Sequence, residues 1–293
     1  MKVSAARKIA FDVLMRVEEG GAFASDLLHA RLTEKVKRED AGLATELTLG
    51  VLRWRRLLDF LLEQFTKKPV TGFDLEVLLA LRLGIYQIRF LERVPARAAV
   101  NESVELVKGA RKSSAAPLVN AVLRRVAGNA AVAARGNCDK LLGPELAPAE
   151  RLGILYSHPT WMVERWLGAF GEERTEALLA ANNRRPRITC AVHPPERRGE
   201  IVRALEKENL SVDPGRLLRD AIVVHGGSPS RTEIFNQGGL SIQDEASQTP
   251  RAPRSPGYRR RRTGSRTRRM YRPRGLELLA DAPRAGDRRA GSG

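Results

Sequence analysis

The sequence predicts a mainly α protein: a helical bundle, then a small α+β unit, then a disordered arginine-rich tail. Three observations carry this. Apolar residues recur every three or four positions, with little interruption, from residue 3 to residue 126, the period of helices that each bury one face. Past Pro186 the period changes to short β-branched runs on either side of one helical stretch, the grammar of an α+β unit. From Thr249 to Gly293 the chain has 14 Arg, 5 Pro and 6 Gly, no Lys, and no apolar period outside Leu276–Ala280. Such a composition buries no core.

The elements follow in order. Val3, Ala6, Ile9, Ala10, Val13, Leu14 and Val17 form the first stripe, and Gly20-Gly21 ends that helix. Leu47, Val51, Trp54, Leu58, Leu61 and Phe65 form a second, closed by Lys67-Lys68-Pro69 with its basic residues at the negative end of the helix dipole. A third runs through Leu75, Leu78, Leu81, Ile85 and Ile88 and stops before Pro95. A fourth helix begins near Pro95 with Val100, Val104 and Val107, and a fifth from about Pro117 with Leu118, Val122 and Val126. Short loops between such stripes imply one bundle over residues 1–130. Residues 131–156, rich in Ala, Gly and Pro without a period, read as a linker. Residues 157–248 read as a connector and small α+β subdomain. It has a helical region from Thr160 to Ala181, strands at Ile188–Val192 and Ala221–His225, a helix from Glu196 to Glu208, and a last short strand at Leu240–Ile242.

The 293 residues carry a formal charge of +17. The tail accounts for +11 of it, which leaves +6 for residues 1–248. An extreme basic balance points to nucleic acid, but here that inference has to be made on the body alone. Apolar residues at 42% exclude wholesale disorder. No apolar run approaches the roughly 20 residues that span a bilayer, and the charged N-terminus lacks the apolar block of a signal peptide. Cys138 and Cys190 are too few for a disulfide framework or a four-ligand metal site. The expectation is a soluble, cytoplasmic protein with no membrane and no metal among its partners.

Five arginines are the candidate RNA-binding residues: Arg53, Arg55 and Arg56 in one run, Arg124 and Arg125 in another. They cannot all face a core, and two basic clusters on one bundle suit phosphate contact. Solvated helix charge is the plain alternative for each. Trp54, among the first three, suits stacking on a nucleotide, although its place in the apolar stripe favours packing. The four histidines have no ligand-like spacing. Cys190 sits mid-strand as a small buried residue. Cys138 has no His or basic cluster near it to lower its pKa. With no glycine-rich phosphate loop, serine elbow or zinc motif, no catalytic, cofactor-binding or metal residue is assigned.

Several runs carry a resemblance. Glu46-Leu-Thr-Leu-Gly-Val-Leu-Arg-Trp-Arg-Arg-Leu-Leu-Asp59 is similar to the signature of NusB-type helical domains as they occur fused to ribosomal RNA methyltransferases. So are Leu81-Arg-Leu-Gly-Ile-Tyr-Gln87, Pro95-Ala-Arg-Ala-Ala-Val-Asn-Glu-Ser-Val104 and Val119-Asn-Ala-Val-Leu-Arg124. Ser157-His-Pro-Thr-Trp161 and Ala181-Asn-Asn-Arg-Arg-Pro186 resemble the connector of the RsmB/Sun (Fmu) family. Ser241-Ile-Gln-Asp-Glu-Ala-Ser-Gln248 resembles the segment leading into that family's methyltransferase domain. The resemblance covers about residues 3–248. It implies the RNA-binding region of an S-adenosylmethionine-dependent enzyme that makes 5-methylcytosine in small-subunit ribosomal RNA. In that family a Cys thiolate attacks C6 of the target cytosine and a second Cys helps release the product. The alternative is a free-standing NusB-like module acting in transcription regulation or antitermination. The family's next landmarks, an Asp-x-Cys-Ala-Ala-Pro-Gly-Gly loop and later Pro-Cys and Thr-Cys motifs, do not follow Gln248. The catalytic domain is therefore expected to be missing, the chain inactive as it stands, and S-adenosylmethionine a cofactor of the full-length family only.

The tail has two readings. One is an arginine-rich RNA-binding arm. The other is sequence read out of frame. Met is always ATG and Tyr always begins with T, so a shift of one base across Met270-Tyr271 gives TGT, which is Cys. The flanking codons permit Val-Leu-Asp-x-Cys-Thr-Ala-Pro-Gly, close to the cofactor loop, although only the Cys is forced. On the out-of-frame reading, deleting Thr249–Gly293 leaves the melting temperature of the bundle nearly unchanged, since the tail has no apolar face to pack. A fall of more than a few degrees would mean that the tail docks on the body.

Overall fold

The structure, a computed structural model, describes residues 3–32, 36–218 and 220–248; the tail expected to be disordered and out of frame lies outside the described residues. The chain forms two compact units, the first ending at Pro186 and the second beginning at Arg187.

The first unit begins with the expected helix, α1 (Ala5–Gly20), capped by Gly21 at φ 62°, a left-handed turn that suits glycine. The eight-residue α2 (Ala24–Arg31) follows; with only Leu28 buried it leaves no periodic trace in the sequence. The stripe from Leu47 to Phe65, expected as one helix, is two: α3 (Arg38–Arg53) and α4 (Arg55–Thr66). Between them Trp54 sits at φ −101°, ψ 13°. Its N–H still donates to the Gly50 carbonyl (3.0 Å), and its own carbonyl accepts from Leu58 N–H (2.9 Å). The helical ladder is broken there, Arg56 N–H donating to Ser157 Oγ (2.9 Å), while the apolar period continues, so the break left no mark in the pattern.

Next come α5 (Leu75–Phe90), α6 (Ala96–Gly109) and α7 (Ala116–Ala127), each close to expectation. Every residue of α5 from Val77 to Ile88 is buried. A helix buried on all sides is the centre of its bundle, and α1, α3, α4, α6 and α7 all pack on it.

Residues 131–156, expected as a linker, hold two 3-10 turns, Ala133–Arg135 and Cys138–Leu141, and the helix α8 (Pro148–Leu155). Val132, Cys138 and Ile154 from this stretch belong to the core of the bundle. The helical region beyond is split into α9 (Thr160–Phe170) and α10 (Glu172–Asn182) at Gly171, φ 75°. Ala149, Leu152, Val163 and Leu179 form a small core under these helices.

The second unit is an antiparallel sheet of four strands in the order β2-β3-β1-β4, with a ten-residue helix against it. The elements are β1 (Ile188–Val192), α11 (Arg198–Lys207), β2 (Ser211–Pro214), β3 (Ala221–His225) and β4 (Leu240–Ile242). Cys190 lies between Ile222 and Ile242 in register. Ile201 and Leu205 of α11, both fully buried, close a core with Cys190, Val192, Ile222, Val224 and Leu240. Burial of an aliphatic side chain of this size contributes about 1.5–3 kcal/mol. β2 is an edge strand ending in Asp213-Pro214, residues depleted in strands, which hid it from the sequence pattern. Among the described residues no helix is long and apolar enough to cross a membrane.

Candidate nucleic-acid interface

The sequence motifs turn out to bind one another. Arg82, 3% exposed, grips Asp59 of α4 with Nε and Nη2 (2.6 and 2.8 Å) and reaches Glu18 of α1 with Nη1 (3.1 Å). A methyl group on Gly84 would overlap Leu123 of α7. The Tyr86 hydroxyl donates to Glu46 of α3 (2.7 Å), and Gly50 is the residue that lets the Tyr86 ring approach, since a methyl there would overlap it. Gln87 accepts from Arg7 Nε of α1 (2.6 Å) while its amide donates to the Leu83 carbonyl. The run Leu81–Gln87 thus pins four neighbouring helices, and its polar residues are structural because each is buried and paired.

The five candidate arginines divide. Arg56 is held by the connector. Its backbone N–H donates to Ser157 Oγ (2.9 Å), its guanidinium donates to the His158 carbonyl, and Nη2 reaches both Thr160 Oγ1 and Glu150 Oε1 (2.7 Å each). Thr160 and Arg56, both donating to Glu150, hold that carboxyl below the usual carboxylate range. Arg56 is therefore tied into the fold by these four partners, unlike Arg53 and Arg55 beside it in the candidate run. Arg55, 52% exposed, approaches Glu18 at 3.3 Å, a carboxylate already shared with Arg82, so the pair contributes little. Arg53 is half-buried, and its charge acts on Glu46 and Tyr86. Arg124 and Arg125 are exposed in the last turn of α7, where cations suit the helix dipole; Arg124 Nε donates to Asn120 (3.1 Å). This pair stands at the end of α7, whereas Arg53–Arg56 stand at the junction of α3 and α4. The cations available for phosphate are thus Arg53, Arg55, Arg124 and Arg125, in more than one place.

Trp54 is half-buried and stacks on Phe90, with ring centroids 4.8 Å apart at 28°. It packs on Phe90, as its place in the stripe suggested. Sequence reasoning missed Arg184 and Arg185, both exposed at the end of α10, although they stand in the connector motif. Arg185 pairs with Glu46. Burial works against the ionised Glu46, but Tyr86 and Arg185 both donate to it and together hold its pKa below the ordinary value.

Both thiols are buried. Burial pushes the Cys190 thiol up to about 11. Burial also raises Cys138, and Arg89 beside it pulls the other way without reversing the shift, a basic neighbour that the sequence did not reveal. In the folded protein at pH 8 both cysteines are expected to resist alkylation by iodoacetamide, and both to react in denaturant; labelling of either in the folded state would contradict this. Among the described residues no cluster of His, Cys, Asp and Glu is suited to a metal. Nor do those residues fit S-adenosylmethionine. Their sheet is antiparallel throughout, and Gly226-Gly227 leads from β3 into the three-residue turn Pro229–Arg231, not into the N-terminus of a long helix. No step of methyl transfer is derived from them.

Two family models match the chain in succession: the NusB family over residues 4–128, and the "Methyltr_RsmF/B-like, ferredoxin-like domain" over residues 158–230. The probable ribosomal RNA small subunit methyltransferase B of Bacillus subtilis is 32% identical over 249 residues, 84% of this chain and 54% of the relative. That of Pseudomonas putida, without the qualifier, is 35% identical over 244 residues, 83% of this chain and 53% of the relative. The chain thus carries a NusB domain followed by an RsmF/B-like ferredoxin-like domain, in the order of its two family matches. The chain spans about half the length of the curated RsmB/Sun relatives it matches. The crystal structure of PH0851 shares the fold, with a TM-score of 0.57 at 15% identity, covering 84% of this chain and 54% of that one.

Proposed function

We propose that residues 3–248 form the RNA-binding region of an S-adenosylmethionine-dependent small-subunit ribosomal RNA (cytosine-C5) methyltransferase acting in the cytoplasm. The observation that carries the reading is the order of domains: a ferredoxin-like unit follows the NusB domain, as the two family matches run. A free-standing NusB-like module for antitermination has no need of that second unit. Exposed arginines on the helical unit supply the charge for phosphate contact. Residues 1–248 by themselves are proposed to bind and not to transfer methyl groups, since they offer neither a cofactor cradle nor a reactive thiol. Incubated with labelled S-adenosylmethionine and small-subunit ribosomal RNA, they are expected to retain the RNA on a filter and leave it unlabelled. Methyl transfer, or equal retention of an unrelated RNA of the same length, would count against the reading.

A further inference from the structure

Beside the break at Trp54 lies a cleft of about 510 Å³ within the first unit, inside the range of about 300–1,000 Å³ typical of small-ligand sites. Arg53, Arg89, Arg135, Arg184 and Arg185 line it, from four stretches of chain, and Glu46 is its one acidic residue. Glu46 is already engaged by Tyr86 and Arg185. Arg89 donates to the carbonyls of Val132 and Gly136 (3.0 Å each), and its Nε is buried without a partner. Among the described residues no carboxylate lies within ion-pair distance of Arg53, Arg135 or Arg184. A structural ion-pair network balances its charges; this concavity holds an excess of cations whose mutual repulsion an anion relieves. The same cleft has an aromatic wall. Trp54 and Phe90 are stacked, and Tyr156, half-buried, lies on the connector side. Guanidinium groups around a stacked pair of rings match a phosphate joined to a planar base.

We infer that this cleft receives one unpaired nucleotide of the bound RNA, its base against the Trp54 and Tyr156 rings and its phosphate on Arg53, Arg184 and Arg185. The inference rests on the RNA-binding reading above and deepens it: the cleft selects unpaired over duplex RNA. A base inside a duplex has both faces covered by its neighbours and offers no face to the wall.

The test uses the full chain and a short single-stranded RNA carrying one 4-thiouridine, with its duplex form as the control. Irradiated complexes are digested and the crosslinked residue is mapped, so arginines of the tail do not confuse the result. Crosslinks at Trp54 or Tyr156 are expected with the single strand and not with the duplex. Because Arg184 and Arg185 are exposed, Arg184→Ala/Arg185→Ala leaves the fold intact, and at raised salt it is expected to weaken single-strand binding about tenfold. Trp54→Phe, which keeps a ring, is expected to retain binding, and Trp54→Ala to lose it. Crosslinks mapped only outside the cleft, together with parental affinity for Arg184→Ala/Arg185→Ala, would overturn the inference. If Arg55→Ala/Arg124→Ala/Arg125→Ala still weakens binding in that case, the RNA-binding reading survives alone. If neither set of variants changes binding, both fall.

Discussion

Replacing Arg82 by Ala is expected to destabilise the helical unit by about 3–5 kcal/mol, the loss typical of breaking a buried ion pair from one side. Arg82 is 3% exposed, and its fork holds Asp59 of α4 with two bonds and Glu18 of α1 with a third. The substitution leaves Asp59 without its cation and Glu18 with only the exposed Arg55 at 3.3 Å, both carboxylates being largely covered. Lys in its place restores the charge but not the planar fork, so Arg82→Lys should recover only part of the loss. Urea unfolding followed by circular dichroism measures both. A loss under about 1 kcal/mol for Arg82→Ala would show that the three-helix junction does not depend on this residue.

The second large effect is expected at Arg56. Its side chain and backbone N–H together hold Ser157, His158, Thr160 and Glu150. Hydrogen bonds to a charged group are worth roughly 1.5–3 kcal/mol each, reduced here because the side chain keeps 27% of its surface exposed. Arg56→Ala is expected to cost about 2–3 kcal/mol in total. It should also free α8 to α10 locally, seen as faster amide hydrogen exchange over residues 148–182 while α5 keeps its protection. Arg55→Ala, one residue away and half exposed, should stay within about 0.5 kcal/mol of the parent. Equal effects at the two positions would contradict the division of the arginines described above.

That division marks what the sequence leaves hidden. The stripes in α1, α6 and α7 were legible because each faces one core, α5 because its apolar run is nearly continuous, and β1, β3 and β4 because short apolar runs stand between turns. Arg55 and Arg56 look alike in sequence. They differ because the partners of Arg56 lie about a hundred residues on, in Ser157–Thr160, and no local pattern announces a contact across such a span. The same holds for Glu46 with Tyr86 and for Asp59 with Arg82: the runs could be quoted as motifs, but not that they read one another. Cys138 reads as a linker residue because Ala, Gly and Pro surround it, whereas its burial comes from packing on the bundle. Of the cleft, only Arg53 and Trp54 are weighed for RNA contact in the sequence; Glu46, Tyr86, Arg184 and Arg185 stand in the quoted runs without that role. Arg184-Arg185, Arg135 and Phe90 reach it from separate segments.

The central claim is that the helical unit binds RNA through its solvated arginines, and salt-dependent binding tests it most directly. Purified residues 1–248, free of the 14 arginines of the tail, are titrated with small-subunit ribosomal RNA over a range of salt concentrations. Log affinity should fall linearly with log salt, by about 0.7–0.9 for each phosphate neutralised. The variant Arg55→Ala/Arg124→Ala/Arg125→Ala, which removes three exposed cations and no buried contact, should bind more weakly with a visibly shallower slope and an unchanged melting temperature. If that variant binds as tightly as the parent with the same slope, these arginines are ordinary surface charge and the interface proposed here is contradicted.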